Sequence, residues 1–134
     1  MDMTEALSTG QYAVKRLAFI FNMPAAYSVA DLVICRSGAM TLAEIAVWGL
    51  PSILIPYPHA TGDHQTLNAR EFVHFSAAII VPELDMSEKL FPVISELMGD
   101  AEKRQSMAQA SKKFARPDAA NIIAKAIVER IHAL

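Results

Sequence analysis

Cys35-Arg36-Ser37-Gly38-Ala39-Met40-Thr41-Leu42-Ala43-Glu44-Ile45-Ala46 reads as the end of a buried strand, a tight turn holding one glycine, and the opening of a helix. Such a junction turns free backbone N–H groups toward an anion, and the helix dipole adds about half a positive charge beside them. The helix carries one acid, Glu44, among mostly apolar neighbours. That carboxylate can sit beside a sugar hydroxyl. Downstream, Pro56-Tyr57-Pro58-His59-Ala60-Thr61-Gly62-Asp63-His64-Gln65 forms a polar loop able to close over the same ligand. The two stretches together suggest a nucleotide-sugar site.

Working outward, Leu32-Val33-Ile34-Cys35 is a short continuous apolar run, the pattern of a strand buried on both faces of a parallel sheet. A helix over 39–48 follows, stopped by Gly49 and Pro51. Ser52-Ile53-Leu54-Ile55 is the next buried strand, ended by Pro56 and Pro58. The pattern then gives a helix from His64 to Phe75, a strand from Ala77 to Val81, and helices over 86–98, 101–114 and 118–133. Upstream, Val14 to Phe21 contains a strand candidate, and Pro24 suits the first turn of a helix from Met23 to Ala30. Residues 1–15 read as a leader of unclear origin and 16–134 as one α/β unit.

Alternating strands and helices predict a parallel α/β sheet with right-handed crossovers, so the strand C-terminal ends share one edge. Ligands of open α/β sheets bind outside those ends. Loops 36–38 and 56–63 both follow strands and fall on that edge. About four strands can be counted, few for a covered sheet, which implies a piece of a larger α/β domain or a partner-dependent half.

Bulk properties narrow the function. The chain has 134 residues, 53% of them hydrophobic, so a folded core is expected. Its formal charge of −2 gives no electrostatic reason to expect nucleic-acid binding. The single cysteine, Cys35, excludes an intrachain disulfide and fits a reducing compartment. No apolar run approaches the roughly 20 residues that span a bilayer, and the acidic start lacks a secretory signal's order. A cytoplasmic chain is expected, with contact to a membrane surface left open.

Each candidate residue has two readings. Ser37 and Gly38 can form an anion-binding turn, or they can merely cap the helix and turn the chain. Thr41 and Glu44 share a helix face, which suits a phosphate and a ribose diol; Thr-x-x-Glu is also a capping box. Arg36 can fork onto a diphosphate or join a surface ion pair. Gln65 and Asn68 can bond sugar hydroxyls or an acetamide, or supply ordinary polarity at a helix start. His59, Asp63, His64 and Gln65 lack the fixed spacing of a zinc site, and no metal or other cofactor is expected. No Ser–His–Asp or Cys–His order assigns a catalytic residue. Lys103, Arg104, Lys112, Lys113 and Arg116 read as a solvated helix face.

The blocks Met23-Pro24-Ala25-Ala26-Tyr27, Ala30 to Ala39, Thr41, Glu44-Ile45, Gly49-Leu50-Pro51, Pro56 to Ala60, Asp63-His64-Gln65 and Asn68-Ala69 resemble the C-terminal domain of the MurG family. These are transferases that move N-acetylglucosamine from its UDP donor to lipid I, making lipid II in peptidoglycan synthesis. The resemblance implies a GT-B architecture, of which residues 16–134 are a partial C-terminal, Rossmann-like, UDP-sugar-binding domain. It also implies a donor diphosphate at Ser37, Gly38, Ala39, Met40 and Thr41, and a ribose on Glu44. His64 and Gln65 would face the N-acetylglucosamine, although His64 stands where the family often has a glutamine. The family's N-terminal domain and its Gly-Gly-Ser loop have no counterpart in the sequence. An inverting transferase part that is inactive alone is therefore expected, acting peripherally at the cytoplasmic face of the membrane on a lipid-linked acceptor held elsewhere. The alternatives are the catalytic half of a two-polypeptide transferase and a binding module without chemistry.

Overall fold

The computed structural model describes residues 14–133, so most of the proposed leader lies outside the described residues. Its elements in order are α1 (Met23–Ser28), β1 (Val33–Cys35), α2 (Ala39–Trp48), β2 (Ser52–Leu54), α3 (His64–His74), β3 (Ala78–Ile80), α4 (Met86–Gly99), α5 (Ala101–Lys112) and α6 (Ala119–His132). The three strands form one parallel sheet in the order β1-β2-β3. Cys35 stands opposite Leu54, and Leu54 opposite Ile80.

Side chains alternate across a strand, so β2 sends neighbours to opposite faces. Leu54 joins Leu42 and Ala46 of α2, Ala69 and Phe72 of α3, and Ala110 of α5. Ile53 and Ile55 join Val81, Leu97 of α4 and Met107 of α5, with Val93 and Ile94 packed against them. Both faces of β2 are thereby covered, which is why its run reads as continuously apolar. A third cluster, Tyr27, Ile45 and Leu50, seats α1 against α2. On the edge strand β1 the cover is incomplete, and Ile34 remains 41% exposed.

The stop signals around α2 act as read. Gly49 takes the left-handed conformation (φ 62°, ψ 52°) and donates its N–H to Ala46 O at 3.0 Å. Leu50 N–H reaches Ile45 O at 3.1 Å, so two carbonyls of the last turn are satisfied.

Three expectations need correction. Val14–Phe21 forms no strand, and the described residues hold three strands rather than four. Val14, Leu17, Phe19, Ile20 and Phe21 are all exposed, with Phe19 and Phe21 stacking edge-to-face on each other at 4.9 Å. The apolar pattern was there, but no ladder partner is. Helix α1 stops at Ser28, short of Ala30, because Val29 N–H turns back to Ala26 O. The basic cluster is also not simply solvated: Arg104 Nη1 donates to Met98 O at 2.7 Å, closing the end of α4, and Lys103 pairs with Glu96 at 2.6 Å.

Candidate functional site

The turn after β1, the loop after β2 and the start of the segment after β3 meet at one sheet edge, and Arg36 ties them together. Its Nη1 donates to Ile55 O and Pro56 O at 3.3 Å each and to Glu83 Oε2 at 2.7 Å. The guanidinium also lies 5.5 Å from the centre of the Tyr57 ring. Hydrogen bonding from Arg36 holds the Glu83 carboxyl below its ordinary range. The ion-pair reading of Arg36 therefore holds for one arm of its fork, with a partner 47 residues away.

Ser37 does not cap α2 with its hydroxyl. It is fully buried, and its Oγ donates to Gln65 O at 2.7 Å rather than capping α2. Asn68 Nδ2 donates to Ser37 O at 3.2 Å, and Tyr57 N–H donates to Gln65 Oε1 at 3.0 Å. These bonds fasten the 36–38 turn, the 57–63 loop and the start of α3 to one another. Gln65 retains its amide nitrogen and Asn68 its carbonyl oxygen for other contacts.

Gly38 is the N-cap of α2, with φ −67° and ψ 145° and no side-chain cap hydrogen bond. That backbone is open to any residue, and a Cβ built there meets nothing within 4 Å. What the glycine leaves is unobstructed space over the helix start. The first intrahelical bond at this end is Leu42 N–H to Gly38 O at 3.0 Å, so the amides of Ala39, Met40 and Thr41 precede it. Ala39 is exposed, Met40 is 78% exposed and Thr41 half-buried. The opening lies where an anion can approach.

Glu44 is exposed, and its Oε2 accepts a hydrogen bond of 2.9 Å from the Tyr27 hydroxyl. The capping-box alternative fails, since the helix begins at Ala39 and Glu44 bonds to Tyr27 instead of the Thr41 backbone. Tyr27 is 7% exposed, and its phenol is pushed up to about 12, first by burial and then by the bond to Glu44. Burial pushes the neighbouring Cys35 thiol up to about 11, so it is a poor nucleophile at neutral pH.

His64 opens α3 and is exposed. The turn before it has positive φ at Gly62 (61°) and Asp63 (54°), and a Cβ at Gly62 would stand 3.2 Å from His64 Nε2. Among the described residues, no three His, Cys, Asp or Glu side chains gather as a metal site would need. An open cleft of about 220 Å³ runs between α2 and α3 from Ala39 and Asn68 to Phe72 and Phe114, and Glu44 does not line it. The candidate site is thus a ledge along the start of α2, flanked by this cleft. Sequence reasoning missed Tyr27, Tyr57 and Glu83, whose partners are too distant along the chain for any spacing rule.

The family model for the glycosyltransferase family 28 C-terminal domain matches residues 2–123. Curated relatives share one printed name, UDP-N-acetylglucosamine–N-acetylmuramyl-(pentapeptide) pyrophosphoryl-undecaprenol N-acetylglucosamine transferase. The Salinibacter ruber protein is 40% identical over 127 residues, 95% of this chain and 34% of the relative. The Halothermothrix orenii protein is 46% identical over 110 residues, 81% of this chain and 30% of the relative. The chain therefore spans about a third of these relatives' length. Among solved structures, Acinetobacter baumannii MurG superposes with a TM-score of 0.85 at 32% identity, covering 95% of this chain and 38% of that one.

Proposed function

Because this chain belongs to the family of glycosyltransferase family 28 C-terminal domains, we propose that it is the donor-binding part of a MurG-like N-acetylglucosaminyltransferase, with UDP-N-acetylglucosamine as its ligand. One observation carries the reading: α2 starts without a side-chain cap, under open space, and presents an exposed carboxylate on the same helix.

A nucleoside diphosphate matches both features. Its diphosphate lies against the N–H groups from Gly38 to Thr41, where the helix dipole favours negative charge. Glu44, on the same face as Thr41 and about 4.5 Å farther along the axis, accepts hydrogen bonds from the ribose hydroxyls. Ser37 contributes through its backbone, because its hydroxyl is already engaged. Gln65, Asn68 and His64 line the sugar side with their remaining polar atoms. Arg36 offers the diphosphate the N–H groups that its protein partners leave over.

In the transfer, an acceptor hydroxyl attacks the anomeric carbon with inversion and the bond to the diphosphate oxygen breaks. Charge growing on the departing UDP is stabilised by the start of α2. The acceptor's proton passes to a base that is not assigned within these residues, so the 134-residue chain is expected to bind donor without transferring it. The relatives' names suggest a lipid-linked muramyl acceptor, hence peripheral action at the cytoplasmic face of a membrane in peptidoglycan synthesis. Among the described residues no helix is long and apolar enough to cross a membrane.

Calorimetric titration tests the reading. The chain should bind UDP-N-acetylglucosamine, and Glu44→Ala should weaken binding at least about tenfold, the loss of a charge-assisted pair of hydrogen bonds. No heat from the wild-type chain, or an unaltered isotherm for Glu44→Ala, would sink it.

A second reading, a half-enzyme completed by another polypeptide, is favoured by α6. Ile122, Ile123, Ile127, Val128 and Ile131 on that helix are all at least half exposed, a large apolar face for a free surface. Transfer restored by adding a separately expressed partner from the same organism would support it.

A further inference from the structure

Glu44 owes its orientation to a residue outside its own helix. Seventeen positions upstream, Tyr27 donates its hydroxyl proton to Glu44 Oε2 at 2.9 Å. The donor cannot wander. The Tyr27 ring is 7% exposed and packed with Ile45 and Leu50, and its centre lies 6.4 Å from that of Trp48. Its short helix is pinned as well, because Asn22 Oδ1 accepts the Ala25 N–H at 3.0 Å. The acceptor, by contrast, is an exposed side chain with three rotatable bonds and no hydrogen bond from its own backbone. One carboxylate oxygen is thus fixed by the core, and the other retains its lone pairs for a ligand.

We infer that Tyr27 is a positioning residue for the ribose-binding carboxylate: it holds one Glu44 rotamer so that the second oxygen meets the ribose diol, and it thereby sets preference for ribo- over deoxyribonucleotides. The inference rests on the donor-site reading of Glu44. A phenol at the rim of a core needs a partner in any case. A purely structural bond, however, would alter stability and leave sugar discrimination untouched.

The test compares UDP with 2′-deoxy-UDP by calorimetry on the whole chain. Wild type should favour UDP by at least about tenfold, the worth of one lost bond to a charged group. Tyr27→Phe keeps the ring and leaves only an exposed carboxylate without its partner, so it should fold. It should lower UDP affinity about three- to tenfold, barely change 2′-deoxy-UDP affinity, and add nothing in a Glu44→Ala background. Glu44→Asp, which keeps the charge but draws it back from the hydroxyl, should collapse the same ratio with Tyr27 intact. If Glu44→Ala abolishes discrimination while Tyr27→Phe or Glu44→Asp preserves the wild-type ratio, the positioning role is overturned and the donor site stands. If wild type binds UDP without discriminating while Glu44→Ala weakens binding, this inference falls and the donor site stands; if Glu44→Ala binds UDP as wild type does, the donor-site reading fails and takes this inference with it.

Discussion

Ser37 shows how a single residue can join two segments that are far apart in the chain. Its buried hydroxyl holds Gln65 O at 2.7 Å while its carbonyl receives Asn68 Nδ2, so one residue joins the α2 turn to the start of α3. Ser37→Ala leaves the Gln65 carbonyl without its donor in a part-buried setting and should cost about 1–2 kcal/mol. A shift in denaturant midpoint at constant m-value checks this, and an unchanged midpoint contradicts it. The hydroxyl's destination was not legible in the sequence. Local rules offered a cap within a few residues, whereas the partner lies 28 positions away. Glu44 was legible as an acid needing a partner, but not that the partner is Tyr27. Such pairings are created by tertiary packing and leave no period to read.

Among the elements, α2 was read with the same bounds that it has, Ala39–Trp48, because Gly49 and Pro51 punctuate it and apolar residues fill it. Its two flanking glycines do different work. Gly49 holds a left-handed φ of 62°, and a Cβ there runs into the Lys112 side chain. Gly49→Ala should therefore destabilise by about 1–2 kcal/mol. Gly38→Ala, at an ordinary φ with open space above, should stay within about 0.5 kcal/mol of wild type. Thermal unfolding of the two variants side by side checks the contrast, and equal losses would refute it. The strand expected within Val14–Phe21 failed for a related reason. An apolar stretch states what a segment can do, while a strand exists only where another backbone supplies the ladder.

For the molecule as a whole, the chain has the architecture of the C-terminal domain of a GT-B glycosyltransferase. Strand-helix alternation and the shared edge of the post-strand loops were legible because right-handed crossovers leave few topologies. The distribution of stability was less so. β2 is buried on both faces, whereas no residue of α6 is buried. Amide hydrogens of Ala119–His132 should accordingly exchange at least about a hundredfold faster than those of Ser52–Leu54, a gap that follows from local rather than global opening. Exchange followed by mass spectrometry decides it, and comparable protection in both segments would mean that α6 docks in solution. At the opposite end of the scale stands the network through Ser37, Gln65, Asn68 and Tyr57, which fastens the turn before α2, the loop after β2 and the start of α3 to one another. On the proposed donor reading, a diphosphate meets a turn that these bonds already hold, so the disorder surrendered on association is chiefly its own. Affinity at this edge should consequently rise as the incoming molecule is made stiffer, with little calorimetric sign of the polypeptide rearranging to greet it.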